Sequence, residues 1–198
     1  MRIAVFVEDA AHASFLVELV SRLATEEDVA VDIELRNALG GSGAVLTSLR
    51  KYVRDLSRGR ERFAELLVVA IDGNCKGTQA VRKIILDITR REGFGGQVAC
   101  AVPNPHVEVW YLADGQAVNR AIDADGPQPS LPERKCEKDR YKRLLREAFL
   151  EGGIDPPAGG SEYGQDIARA IDLDRACRND SDLNRFVDEV RAILRAYG

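Results

Sequence analysis

The run Leu66-Leu67-Val68-Val69-Ala70-Ile71 limits the possible folds more than any other stretch of the chain. This unbroken series of apolar residues stops at Asp72, Gly73 and Asn74. Such a run is typical of a strand that is buried on both faces of a parallel sheet. In open α/β sheets, ligands bind in the crevice at the carboxyl ends of the strands. The run therefore predicts an α/β fold with polar functional groups directly after this strand.

A second strand of the same kind is predicted at the amino terminus. Ile3-Ala4-Val5-Phe6-Val7 is apolar throughout and is followed by Glu8 and Asp9. The carboxyl ends of parallel strands meet at one edge of the sheet. We therefore expect Glu8 and Asp72 to share one crevice, with Asn74 beside them.

Between and after these strands, the hydrophobic pattern alternates between strand and helix. Helices are predicted over 10–24, 44–63 and 78–91, and further strands over 29–35 and 97–102. This alternation predicts a Rossmann-like, mostly parallel four-stranded sheet with right-handed crossovers. A helix over 106–114, begun just after Pro105, would place Glu108 on the same rim as Glu8 and Asp72. Glu108 has a second interpretation, as an acid favoured by the dipole at a helix start.

A proline- and glycine-bearing loop over 123–132 marks the predicted boundary of the α/β domain, which spans residues 1–122. Beyond the loop the pattern is helical only. Helices are predicted over 133–150, 163–171 and 183–197. Residues 123–198 are therefore expected to form a loop and a helical extension packed on the first domain.

Composition excludes several classes of protein. The net charge of -4 argues against binding nucleic acid by overall charge alone. No run approaches the ~20 apolar residues of a membrane span, and acids stand where a signal peptide would be apolar. We expect a cytoplasmic protein without a membrane partner.

The cysteines and histidines do not form a recognisable metal motif. The four cysteines are scattered without a Cys-x-x-Cys pair, and only two histidines are present. A structural zinc site is therefore not expected, and free thiols fit a reducing cytoplasm. His12 is expected to face solvent or to cap the first helix rather than to contact a substrate.

Two predicted helices carry concentrated positive charge. Arg50, Arg54 and Arg58 lie on the helix over 44–63, and Lys138 and Lys142 lie on the helix over 133–150. Each row has two interpretations: an ordinary solvated helix face, or a surface that contacts nucleic-acid phosphates.

The acids at the strand ends are expected to lack histidine and cysteine partners, and such carboxylates suit a hard cation that prefers oxygen ligands, Mg²⁺ or Mn²⁺. Glu8, Asp72 and Asn74, with Glu108, are the predicted metal ligands. Glu8 and Asp72 are also the predicted catalytic residues, with Glu8 as acid or base. Lys76 would neutralise a substrate phosphate; its other interpretation is an exposed lysine at a helix start.

This arrangement resembles the TOPRIM domain, the catalytic module of topoisomerases, primases and OLD-type nucleases. In that domain a glutamate follows strand one, matched by Glu8, and an Asp-x-Asp pair follows strand three, matched by Asp72-Gly73-Asn74. The segment over 104–114, which includes Asn104-Pro105-His106-Val107-Glu108, is similar, more specifically, to a bacterial TOPRIM-like family of unknown function, as is the tail with Tyr163 and residues 167–172. The resemblance covers nearly the whole chain.

The resemblance implies a metal-dependent endonuclease that acts on nucleic acid, with DNA favoured. It also implies an ABC- or SMC-type ATPase as partner in anti-phage defence. Two positions depart from the TOPRIM pattern: Asp9 replaces the usual glycine, and Asn74 replaces the second aspartate. Because an amide carries no charge, Asn74 should weaken metal binding.

Two alternatives to an active nuclease remain. One is a catalytically weak or inactive TOPRIM-like scaffold that binds nucleic acid or an ATPase. The other is a receiver-like phosphoacceptor domain, in which Glu8, Asp9 and Asp72 would hold Mg²⁺ and Asp72 would be phosphorylated. The lysine next to proline that a receiver has after a later strand is missing from Val102-Pro103-Asn104-Pro105.

Overall fold

The protein is an α/β fold built on a parallel four-stranded sheet. The computed structural model describes residues 1–37, 40–124, 128–129, 131, 136–137 and 139–198. The strands are β1 (Arg2–Val7), β2 (Asp32–Asn37), β3 (Leu66–Ala70) and β4 (Gln97–Ala101). Their order across the sheet is β2-β1-β3-β4, and every neighbouring pair is parallel. The predicted fold class is confirmed. Lys138 and half of the predicted boundary loop over 123–132 lie outside the described residues.

Helices connect the strands and follow them. They are α1 (Ala10–Glu26), α2 (Gly41–Ser57), α3 (Thr78–Arg91), α4 (Glu108–Tyr111), α5 (Gly115–Arg120), α6 (Arg140–Glu151), α7 (Gly164–Ala170), α8 (Leu173–Asn179) and α9 (Ser181–Tyr197). The predicted helix over 106–114 is instead the short α4 followed by a 3-10 turn, and α5 and α8 were not predicted. In the described part of the chain, no helix has the length and apolar character needed to cross a membrane.

The sheet is buried on both faces, which explains why its central strands are apolar throughout. Ala4 and Phe6 of β1 face the side covered by α2 and α3. Ile3, Val5 and Val7 face the side covered by α1 and the carboxyl-terminal helices. Both faces of one strand therefore lie in hydrophobic cores.

The carboxyl-terminal helices enlarge the core on the α1 face. Trp110, Phe149 and Phe186 belong to the same buried cluster as Val5 of the sheet. The Trp110 and Phe186 rings stack with their centroids 5.6 Å apart. Residues beyond 139 thus pack directly on the α/β layers.

A buried carboxylate joins these helices to one another. Asp114 is fully buried. It accepts hydrogen bonds from the guanidinium groups of Arg120 and Arg175, both at 3.1 Å. It also accepts bonds from the backbone N–H groups of Gln116 at 3.2 Å and Asp172 at 2.8 Å. Its charge therefore links the segment after α4 to α5 and α8.

We predict that Asp114→Asn lowers the free energy of unfolding by about 2–3 kcal/mol, because the network loses the charge of its fully buried carboxylate. Urea denaturation measures this. The matched control is Asp166→Asn, because Asp166 is half-exposed and its ion pair with Arg169 is long, at 3.7 Å. This change should alter the free energy of unfolding by less than about 0.5 kcal/mol. Equal effects of the two changes would contradict the proposed role of Asp114.

Candidate functional site

The candidate site lies where the strand order reverses. From β1 the chain goes to β2 on one side, and β3 lies on the other side. In doubly wound sheets this switch point forms the ligand crevice. Glu8 follows β1 and Asp72 follows β3, and the Asp72 N–H donates to Glu8 Oε1 at 3.2 Å. The predicted juxtaposition of Glu8 and Asp72 is confirmed.

The loop after β3 is held against the loop after β4. The N–H groups of Gly73 and Asn74 donate to the carbonyls of Pro103 and Pro105, at 2.7 and 3.0 Å. A Cβ at position 73 would lie 2.9 Å from Oδ1 of Asn104, which explains the glycine there. These contacts bring residues after Pro105 to the crevice.

Asp72 lies between two histidines. His12 Nε2 forms an ion pair with Asp72 Oδ1 at 3.1 Å, and His106 Nδ1 bonds to Asp72 Oδ2 at 3.0 Å. The other ring nitrogen of His12 bonds to Asp9 Oδ1 at 2.9 Å. The expectation that the acids have no histidine partners was therefore wrong.

The expectation that His12 faces solvent was also wrong, because its side chain is fully buried. Asp9 caps α1 by accepting from the His12 N–H at 3.0 Å. The same carboxylate bonds to the imidazole. The capping residue therefore fixes the histidine between itself and Asp72.

The charges of this cluster shift each other's pKa values. Burial opposes a charge on His12, but Asp72 and Asp9 outweigh it and raise its pKa to about 10. Burial likewise opposes a charge on Asp9 and Asp72. His12 nevertheless lowers the pKa of Asp9 to about 2, and both histidines lower the pKa of Asp72. The hydrogen bond to Asp72 raises the pKa of His106.

The neighbouring acids shift in the opposite direction. Burial, followed by the charge of Asp72, raises the pKa of Glu8. Burial also raises the pKa of Glu108, which is 5% exposed, and Asp72 adds to that shift. Glu108 Oε2 has no hydrogen-bond partner among the described residues. Carboxyl groups whose pKa values are pushed apart in one crevice are typical of acid–base sites.

Lys142 lies at this crevice, although it was predicted on a separate basic surface. It lines a cleft of about 260 Å³ together with Asp9, Glu108 and Ser161. Its charge acts to lower the pKa values of Asp9 and Glu108. Its neighbourhood was not predicted because α6 is separated from these acids by more than thirty residues of sequence.

The other predicted site residues lie at the outer rim. Asn74 is exposed, and its side-chain nitrogen donates to the Asp72 carbonyl at 3.3 Å. Lys76 is exposed in the same loop. The described residues contain no group of three or more histidine, cysteine or acidic side chains arranged to hold a metal ion.

A disulfide joins Cys75, in the loop after Asp72, to Cys136. The expectation of four free thiols was wrong, whereas Cys100 and Cys177 are free. The two half-cystines are 61 residues apart, and no spacing signal in the sequence indicated the pairing.

The basic residues of α2 lie away from the crevice. Arg50, Arg54 and Arg58 line one open cleft, and Arg54 also binds Glu92 through two 2.8 Å hydrogen bonds. Because α2 begins just after the carboxyl end of β2, its last turn lies toward the amino-terminal ends of the strands, away from the crevice. Its 17 residues span about 25 Å at 1.5 Å per residue.

A family model described as "Domain of unknown function (DUF4276)" matches residues 7–191. The chain belongs to the DUF4276 family. The match includes every crevice residue described above, from Glu8 to Lys142. Comparison with curated proteins and with solved structures gave no match. Membership of the DUF4276 family assigns no activity, so the function must be argued from the site.

We predict that stability falls as the pH rises from about 6.5 toward 10. The His12 pKa is raised from 6.5 to about 10 by folding. Its contribution is therefore complete below pH 6.5 and is lost as the pH approaches the folded pKa. The loss is on the order of 4 kcal/mol. Urea denaturation between pH 6 and 10 measures it. In His12→Gln this slope should largely disappear; an unchanged slope would contradict the assignment.

Proposed function

We propose that the protein is a Mg²⁺-dependent, phosphodiester-cleaving nuclease that works in the crevice between β1 and β3. The observation that carries the proposal is the contact of Glu8 with Asp72 at the switch point, with the pKa of Glu8 raised and that of Asp72 lowered. DNA is the favoured substrate, by resemblance to TOPRIM nucleases.

The residues present fit a sparse magnesium site. Mg²⁺ is usually held by one or two carboxylates together with water and substrate phosphates, rather than by an all-protein cage. Glu8 and Asp72 would hold the ion, with Glu108 and the Asn74 amide oxygen nearby. Glu108 Oε2 is a buried oxygen without a hydrogen bond among the described residues, whereas Asp72 Oδ1 lies 3.1 Å from His12 Nε2. When bound, the ion would stabilise negative charge on the phosphodiester.

The side chains around the crevice would have separate roles in proton transfer, in orienting Asp72 and in binding the substrate. Glu8, whose pKa is raised by burial and by the charge of Asp72, would act as general base and acid. His12 is held in its charged form and keeps Asp72 ionised and oriented. His106 is only partly buried, and its raised pKa makes it a proton donor at the mouth of the crevice. Lys142 and Lys76 would contact substrate phosphates.

The proposed partner is an ABC- or SMC-type ATPase in anti-phage defence. This part of the proposal rests on the TOPRIM resemblance alone. A cytoplasmic location belongs to the same proposal.

Glu8→Gln and Asp72→Asn should each reduce divalent-metal-dependent cleavage by at least about 100-fold, because each change removes a carboxylate from the reacting centre. The measurement is nicking of supercoiled plasmid with Mg²⁺ or Mn²⁺, and with RNA as a second substrate. Glu147→Gln is the matched control, because Glu147 is exposed on α6. Cleavage that survives both crevice changes in the folded variants would contradict the proposal.

Arg50→Ala and Arg58→Ala should weaken DNA binding uniformly across sequences. Each should reduce the slope of log affinity against log salt by roughly one, because each removes one phosphate contact. Fluorescence anisotropy at several salt concentrations measures both quantities. Arg54→Ala is the control with the smaller expected effect, because Glu92 already binds that guanidinium. Three equal effects would contradict a specific phosphate surface.

A second candidate is the inactive scaffold. The observation that favours it is that both Asp72 oxygens contact histidines, which is also how a purely structural buried ion network is built. In that case no metal should support cleavage. ATPase or DNA binding should then survive Glu8→Gln and Asp72→Asn unchanged.

A further inference from the structure

The two outer strands of the sheet, β4 and β2, differ in whether their outward backbone groups have hydrogen-bond partners. At the β4 edge, the outward N–H of Cys100 donates to Glu189 Oε2 at 3.5 Å. The Cys100 carbonyl accepts from Arg82 Nη1 at 3.4 Å, and Arg82 and Glu189 bind each other. This ion pair occupies the outward N–H and C=O groups of Cys100, which a fifth strand would otherwise use. The β4 edge is therefore closed to another strand.

The β2 edge is open. The Asp32 N–H donates to the Met1 carbonyl at 2.9 Å, so the even-numbered residues of β2 point their backbone groups toward β1. Ile33 and Leu35 therefore point their N–H and C=O groups outward, where no described residue bonds to them. Leu35 is also 46% exposed. An open edge of this kind is a template for pairing with another chain.

We propose that the β2 edge is a homodimer interface. A second copy of the chain adds its own β2 antiparallel to this strand, across a two-fold axis at Leu35. The two sheets then form one continuous eight-stranded sheet, and the contact is isologous.

The charges on β2 select a second copy and fix the register. In an antiparallel pair, a residue whose backbone N–H and C=O groups point outward lies opposite another such residue. Leu35 can therefore lie opposite Ile33, Leu35 or Asn37 of the second copy. The first register places Glu34 opposite Glu34 on the two-fold axis, although it also places Arg36 opposite Asp32. The third register places Arg36 opposite Arg36 on the axis, and the second brings no like charges together over residues 33–37. Only the register with Leu35 opposite Leu35 places Glu34 opposite Arg36.

Glu34 and Arg36 would keep their charged partners when the dimer covers them. Within one chain Glu34 and Arg36 already bind each other at 2.5 Å. The dimer would therefore join two paired networks rather than isolated charges, and it would cover the exposed part of Leu35.

Cross-linking tests the register. In a hydrogen-bonded antiparallel pair the Cα atoms are about 5.5 Å apart, within the range that a disulfide spans. Leu35→Cys should therefore give a covalent dimer under mild oxidation, seen on a non-reducing gel. Asp32→Cys is the matched control on the same strand. Its two copies would be about 20 Å apart, at ~3.4 Å per residue, and should not cross-link.

Light scattering and sedimentation test the dimer itself. The unchanged chain should have twice the monomer mass. Leu35→Lys should be a folded monomer by circular dichroism, because it places two like charges together at the axis. A monomeric unchanged chain, a dimer that survives Leu35→Lys, or equal cross-linking by Asp32→Cys would each overturn the proposal. None of these measurements requires catalytic activity.

Discussion

The candidate site depends on the placement of a charged imidazole between two carboxylates. Burying an isolated imidazolium would cost several kcal/mol. Asp9 and Asp72 make the burial of His12 possible, and His12 in turn keeps both acids ionised. The three residues come from the end of β1, the start of α1 and the end of β3. Their mutual pairing therefore fixes the edge of the sheet where Glu8 also lies.

The carboxyl-terminal part of the chain contributes to this edge directly. Glu108 begins α4, and α6 carries Lys142 into the same cleft. The Asp114 network holds the segments that follow α4 against α8. The helices after β4 are therefore part of the crevice and not a separate attachment. The crevice and the open β2 edge are distinct features, so catalysis and dimerisation can be tested separately.

Much of the fold follows from patterns that are local in sequence. The apolar runs predicted the central strands, and the spacing of apolar residues predicted α3 over 78–91, as observed. Strand polarity alone then placed Glu8 and Asp72 together. These features need only the pattern of burial and the rule that strand ends share an edge.

The missed features depend on contacts between distant segments. From sequence alone His12 is simply a residue in the first turn of a helix, and only its contact with Asp72 explains its burial. From sequence alone Lys142 is one of several basic residues on a helix, and only the packing of α6 places it beside Glu108. The link from Cys75 to Cys136 carries no spacing signal. In each case the partner lies far away in the chain, so periodicity cannot identify it.

The protonation state of His12 decides whether a charged imidazole lies between Asp9 and Asp72. Nitrogen-detected NMR of the imidazole at pH 8, in EDTA, reports whether both ring nitrogens carry protons. We expect a doubly protonated ring in the unchanged protein, because the His12 pKa is raised to about 10, and a markedly lower His12 pKa in Asp72→Asn. A His12 that titrates near 6.5 in both proteins would contradict this expectation.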